Sequence, residues 1–171
     1  MKIIIFGYMT SGKSLIGPKL AQKLEVPFYD LDQFIEANEN MSVSEIFQTK
    51  GELYFRKKEH SYLPAFLQQP DGVYALGGGT PCYGSNLDII KAQENAKTVY
   101  LNVSVAQLGQ RLFHNKAERP LVAHLGTQAA VTEFVGKHLF ERLSYYNQAD
   151  YSINANGTPE ETLTQLLKLL G

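Results

Sequence analysis

The sequence predicts an α/β fold, a three-layer sandwich with a central parallel sheet flanked by helices, and three observations carry that prediction. Strand-like apolar runs recur at Lys2–Phe6, Pro27–Asp30, Gly72–Leu76, Thr98–Val103 and Tyr151–Ile153. Helical patterns fill most of the intervals between them, an alternation that folds as parallel strands joined by helical crossovers. The first run ends in Gly7-Tyr8-Met9-Thr10-Ser11-Gly12-Lys13-Ser14, a glycine-bearing strand-to-helix turn of the form G-x-x-x-x-G-K-[ST].

The elements follow in order. After the turn, Leu15, Ile16, Leu20 and Leu24 recur at helical spacing with Ala21 inside the stripe, which predicts a helix over Ser14–Leu24, weakened or bent near Gly17 and Pro18. Further helices are predicted over Leu31–Glu39, Ser42–Thr49, Gly51–Gln68, Asn86–Gln93, Val105–Phe113, Thr127–Tyr146 and Pro159–Leu170. Ser42 and Glu45 stand three apart, as a capping box requires. Thr158-Pro159-Glu160-Glu161 opens the last helix with a cap, a proline at the first position and acids near the positive dipole end. The stretch 114–126 lacks periodicity and carries Lys116, Arg119, Pro120, His124 and Gly126, so it reads as a long functional loop or lid.

A chain of 171 residues with 44% hydrophobic content suits one core and is short for two, so a single domain over 1–171 is expected. The net charge of −1 creates no field that would draw the chain to nucleic acid or an anionic membrane. No run approaches the roughly 20 apolar residues of a membrane span, and a single cysteine, Cys82, fits a reducing compartment, so a cytoplasmic protein is expected. With no second thiol to resolve it, Cys82 is not read as a nucleophile, and the four histidines lack metal-ligand spacing.

The glycine-bearing turn aims backbone N–H groups and a helix dipole at one point, where phosphate oxygens fit. Gly7, Thr10, Ser11, Gly12, Lys13, Ser14 and Leu15 are therefore the candidate nucleotide-binding residues, with Lys13 reaching the β- and γ-phosphates and Ser14 ligating Mg²⁺. Asp30 and Asp32 close the second strand run, where α/β folds place ligands. Asp30 is read as a Mg²⁺ ligand acting through water, and Asp32 either as the acceptor of a substrate hydroxyl proton or as a helix cap.

Asp30-Leu31-Asp32 is followed by Phe34-Ile35-Glu36, Gly51-Glu52, Phe55-Arg56, Glu59, Gly77-Gly78-Gly79, Arg119-Pro120-Leu121 and Arg142 with Tyr145, and this ordered series resembles the shikimate kinase family over nearly the whole chain. The resemblance implies a P-loop, nucleoside-monophosphate-kinase-like domain that uses ATP and Mg²⁺ to phosphorylate the 3-hydroxyl of shikimate. It also implies a monomer with substrate-binding helices at about 31–62 and a lid at about 114–126. By the same resemblance Asp32 bonds the substrate hydroxyls, Arg56 and Arg142 hold its carboxylate, Glu59 partners the substrate arginine, and Gly77, Gly78 and Gly79 line the pocket. Arg119 is similar to the lid residue that reaches ATP and substrate, Arg111 to the one that stacks on adenine, and Asn156 falls in the adenine-side loop, placed at Asn154–Thr158 by position. Planar guanidinium groups suit bidentate capture of a carboxylate. The chain departs from the family pattern at Leu15, where many members carry Thr, and in the bulky loop interior Tyr8-Met9-Thr10-Ser11. Another P-loop kinase such as a gluconate kinase, or a non-catalytic nucleotide-binding module, would share the loop. A gluconate kinase would share the lid too and is separated by Arg56 with Arg142 and the Asp-x-Asp after the second strand run, while Asp32, both substrate arginines and the lid Arg-Pro argue against the binding module.

Overall fold

The computed structural model describes residues 1–119 and 121–171, so the proline of the Arg119-Pro120-Leu121 motif lies outside the described residues. Five parallel strands, β1 (Lys2–Phe6), β2 (Phe28–Asp30), β3 (Gly72–Ala75), β4 (Ala96–Asn102) and β5 (Tyr151–Asn154), form one sheet in the order β2-β3-β1-β4-β5. Strand β1 is central because its residues from Ile3 to Phe6 are all apolar and buried, as a strand covered on both faces must be. It is also the switch point of the strand order, with β3 on one side and β4 on the other. In such sheets ligands gather at the carboxyl ends of the strands beside the switch.

Helix α1 (Lys13–Leu24) starts at Gly12, whose φ of 107° is a left-handed value open to glycine. It runs on through Pro18, and its buried stripe of Ile16, Gly17, Leu20 and Ala21 faces the sheet. The expected weakening at Gly17 has a packing counterpart: a Cβ there would stand 2.5 Å from the Phe28 ring. Helix α2 (Leu31–Glu39) is capped by Asp30, whose carboxylate accepts the Gln33 N–H at 3.1 Å. Asp30, and not Asp32, is therefore the cap.

The two helices expected on either side of residue 50 are both present as the two limbs of α3 (Val43–Leu67), separated by a kink at Gly51, where φ 85° and ψ 169° are not helical. Only half of the expected capping box forms at its start. Ser42 accepts the Glu45 N–H at 3.1 Å, while Glu36 takes the Val43 N–H at 2.9 Å. Helices α4 (Asn86–Lys91), α5 (Val105–His114), α6 (Gln128–Tyr146) and α7 (Pro159–Leu170) follow, α4 ending two residues before expectation. At α7 the box is complete, Thr158 and Glu161 each accepting the other's backbone N–H.

Candidate active site

Two cavities open at the carboxyl edge of β1, β2 and β3. The first, of about 370 Å³, is lined by the loop after β1, by Asp30 and Asp32, and by Arg111 and Arg119. The second, of about 650 Å³, lies between α3, the glycine run after β3, and α6. Met9, Asp32, Gly77, Gly78 and Arg119 line both, so the cavities meet at Asp32. A group carried in one can reach a group held in the other across that seam.

In the first cavity the Lys13 ammonium folds back on its own loop, donating to Gly7 O at 2.6 Å and Tyr8 O at 3.1 Å. Burial pushes it down to about 8, opposed by the Asp32 carboxylate and assisted by Arg119 and Arg142. The ammonium is still mostly protonated at neutral pH and is held by neutral carbonyls, so an approaching phosphate displaces weak partners. Thr10 holds a left-handed φ of 66° with its Oγ1 buried and unpartnered among the described residues, which marks the loop as strained.

Asp32 is raised to about 6, first by burial and then by the negative charges of Asp30 and Glu59, with Lys13 pulling the other way. A carboxylate poised there is matched to proton transfer near neutral pH. Ser14, Asp30 and Asp32 present hard oxygen donors to the cavity. That set fits Mg²⁺, which keeps most of its waters and takes its remaining ligands from a hydroxyl and from phosphates.

The second cavity is built around Arg56. Its Nη1 donates to Glu59 Oε1 at 2.9 Å, and its guanidinium lies 4.2 Å from the centre of the Tyr83 ring. Glu59 is fully buried, so its charge needs both that partner and the Thr80 hydroxyl, which donates to Oε2 at 2.8 Å. Asn86 Nδ2 in turn donates to Thr80 O at 2.9 Å. Arg142, 8% exposed on α6, faces the same space beside Gly78. Two planar cations with apolar walls at Phe47 and Phe55 define a pocket for a small, partly apolar anion.

The remaining expected residues divide. Gly77, Gly78 and Gly79 line the second cavity. Arg119 is exposed at the junction of the two, with no ion-pair partner among the described residues. Arg111 donates to Thr10 O at 3.1 Å and Ala155 O at 3.2 Å, bracing the nucleotide loop against the segment after β5. Those residues, with Leu15 and Gly157, line a third cavity of about 260 Å³. Asn156 does not line it: its Oδ1 accepts the Ser104 N–H at 2.8 Å, which anchors the loop. Burial pushes Cys82 up to about 11, keeping it a thiol.

Sequence reasoning gave no role to Tyr83, Thr80 or His138. Thr80 follows the glycine run directly and was open to being read as its hydrogen-bonding end. Tyr83 and His138 carry no local signal, because each meets the site only through tertiary packing. Tyr146 donates to Gly78 O at 2.6 Å from behind the glycine run, and Tyr145, which stands with Arg142 in the motif series, lines neither cavity.

A family model described as shikimate kinase matches residues 9–171. The chain is 42% identical over 171 residues to a shikimate kinase of Flavobacterium johnsoniae, covering 99% of this chain and 98% of that protein. Among solved structures, the shikimate kinase of Bacteroides thetaiotaomicron superposes with a TM-score of 0.89 at 34% identity, covering 99% of this chain and 98% of the other. The shikimate kinase of Acinetobacter baumannii in complex with shikimate gives a TM-score of 0.83 at 29% identity, with 99% and 92% covered.

Proposed function

Because the chain belongs to the shikimate kinase family, we propose that its two cavities hold MgATP and shikimate, and that the γ-phosphoryl group crosses between them at Asp32. The activity is ATP-dependent transfer to the 3-hydroxyl of shikimate, giving shikimate 3-phosphate and ADP. The observation that carries the residue assignment is the shared seam, where Asp32 and Arg119 line both cavities.

Lys13 and the backbone N–H groups of the loop hold the phosphates, and Ser14 with Asp30 would hold Mg²⁺, which supplies charge neutralisation on the phosphate oxygens. Asp32 orients the acceptor hydroxyl and takes its proton as the oxygen attacks phosphorus. Arg56 and Arg142 hold the carboxylate and so fix which hydroxyl faces the nucleotide. Arg119, carried on the lid at about 114–126, reaches the seam to neutralise charge on the transferring group. Arg111 and the loop around Asn156 form the adenine side. The resemblance that implies these roles also implies a monomeric enzyme. No helix among the described residues is long and apolar enough to cross a membrane.

The testing experiment is ADP release by the purified protein with MgATP, comparing shikimate, gluconate and no acceptor. Turnover with shikimate alone is expected; equal release with gluconate, an open-chain carboxylate, would show that the pocket does not select the shikimate ring and would remove shikimate as the specific acceptor. A second expectation concerns the carboxylate pocket itself. A Cβ at Gly79 would stand 2.6 Å from Arg56 Nη2 and 2.7 Å from Nη1, and Glu59 and Tyr83 box in the guanidinium. Gly79→Ala is therefore expected to raise the KM for shikimate by about 10- to 100-fold, the worth of one charged hydrogen bond, with the KM for ATP little changed. Equal effects on both would place Gly79 outside the acceptor pocket.

A further inference from the structure

The bulky loop residue Tyr8 is not used by any step above, yet it is 1% exposed and touches both halves of the site. Its carbonyl accepts the Lys13 ammonium on the nucleotide side. Its hydroxyl is hydrogen-bonded to His138 Nδ1 at 2.9 Å, with the two rings edge to face at 5.4 Å. The Arg142 guanidinium lies over its ring, 5.8 Å from the centre. His138 itself lines the acceptor cavity and packs on Phe134, which lines it too. The neighbouring backbone repeats the connection, since a Cβ built on Gly78 would meet Gly7 O at 3.2 Å and Arg142 Nη1 at 3.3 Å.

From this arrangement, and resting on the assignment of Arg142 to the shikimate carboxylate, we propose that Tyr8 is a positioning residue that couples the two sites. Occupancy of the phosphate loop sets the Tyr8 ring and hydroxyl, and these set Arg142 and His138. The physical route starts at Lys13. When phosphates draw its ammonium away, the Gly7 and Tyr8 carbonyls lose that donor, and the loop they belong to is the one wedged against Gly78, Arg142 and helix α6. Burial pushes the Tyr8 hydroxyl up to about 12, so it remains a hydroxyl at working pH. Burial and Arg142 hold the His138 imidazole down, so it stays neutral and keeps a nitrogen for the contact. Coupling of this kind is reciprocal, so shikimate tightens nucleotide binding by the same factor.

The test is calorimetric titration of the full chain with shikimate, with and without saturating Mg²⁺ and the β,γ-imido analogue of ATP. The quantity read is the ratio of the two Kd values, in which a general loss of affinity at either site cancels. The wild type is expected to bind shikimate about fivefold or more tightly with the analogue present. Tyr8→Phe, which keeps the ring and removes the hydroxyl, and His138→Phe, which removes the partner, are each expected to bring the ratio below about twofold. A wild-type ratio near one, or both variants keeping the wild-type ratio, overturns the proposal while leaving the acceptor assignment in place. Failure of the wild type to bind shikimate at all overturns both.

Discussion

Lys13→Met is expected to lower kcat/KM for phosphoryl transfer by about 10³, within the loss seen when a preorganised group facing transition-state charge is removed. In the proposed mechanism the nucleotide loop supplies N–H dipoles in fixed directions, whereas Lys13 supplies the full positive charge that follows the phosphoryl group. The same substitution is expected to make the empty protein more stable. Lys13 is held down at about 8 against an ordinary 10.5, so between those values the unfolded chain binds more protons than the folded one. Stability therefore rises with pH across that window, and below pH 8 the part-buried ammonium carries its full desolvation penalty. Methionine removes the penalty and keeps the stem, so a gain of ~1–3 kcal/mol is expected at pH 7, allowing for water in the open cavity. Kinetics and a thermal melt on one preparation check both halves. A variant that turns over near the wild-type rate would take Lys13 out of the phosphate site, and one that melts lower would show that its carbonyl contacts outweigh desolvation.

What the sequence discloses about this site follows from how local each feature is. The phosphate loop is legible because strand, turn and helix start are contiguous, and the left-handed Gly12 that opens α1 is a local backbone requirement. The sheet order is legible only as a class. Which strands flank β1 depends on crossovers, although an all-parallel sheet already follows from the alternation of runs. Arg56, Glu59 and Arg142 entered through resemblance, because nothing in their local spacing brings α3 and α6 to one pocket. The structure adds the groups that make those charges tolerable. Glu59 is buried without strain because Thr80 and Arg56 satisfy its two oxygens, and Tyr83 covers the outer face of the guanidinium. Thr80 and Tyr83 lie more than 20 residues from Arg56 in the chain, so only the folded arrangement reveals them. The capping question is the reverse case. Asp-x-Asp at a strand end is ambiguous by pattern, and the hydrogen bond from Gln33 N–H to Asp30 leaves Asp32 with its side chain on both cavities.

Freed from capping, Asp32 is the group whose loss should be felt in the chemical step. Asp32→Asn is expected to lower kcat by about 10²–10⁴ with the KM for ATP nearly unchanged, since the amide keeps the shape and cannot take the hydroxyl proton. The pH profile makes the assignment specific. With Asp32 raised to about 6, the wild-type kcat/KM should climb about tenfold per pH unit below that value and level off above it. The residual activity of the Asn variant should lack this limb. Stability moves in the opposite sense. A carboxyl with a raised folded value binds protons in the native state that the unfolded chain releases, so its favourable contribution is present below about 3.8 and lost as pH rises through 6. Above pH 6 the wild type carries a part-buried charge that Asn lacks, and the variant should gain ~1–2 kcal/mol, a few degrees in Tm, that fades by pH 4. A variant that is slower, insensitive to acid and more stable at neutral pH is what a part-buried base held for chemistry predicts. A variant that loses rate and stability together, with the acid limb intact, would make Asp32 a structural residue and send the proton elsewhere.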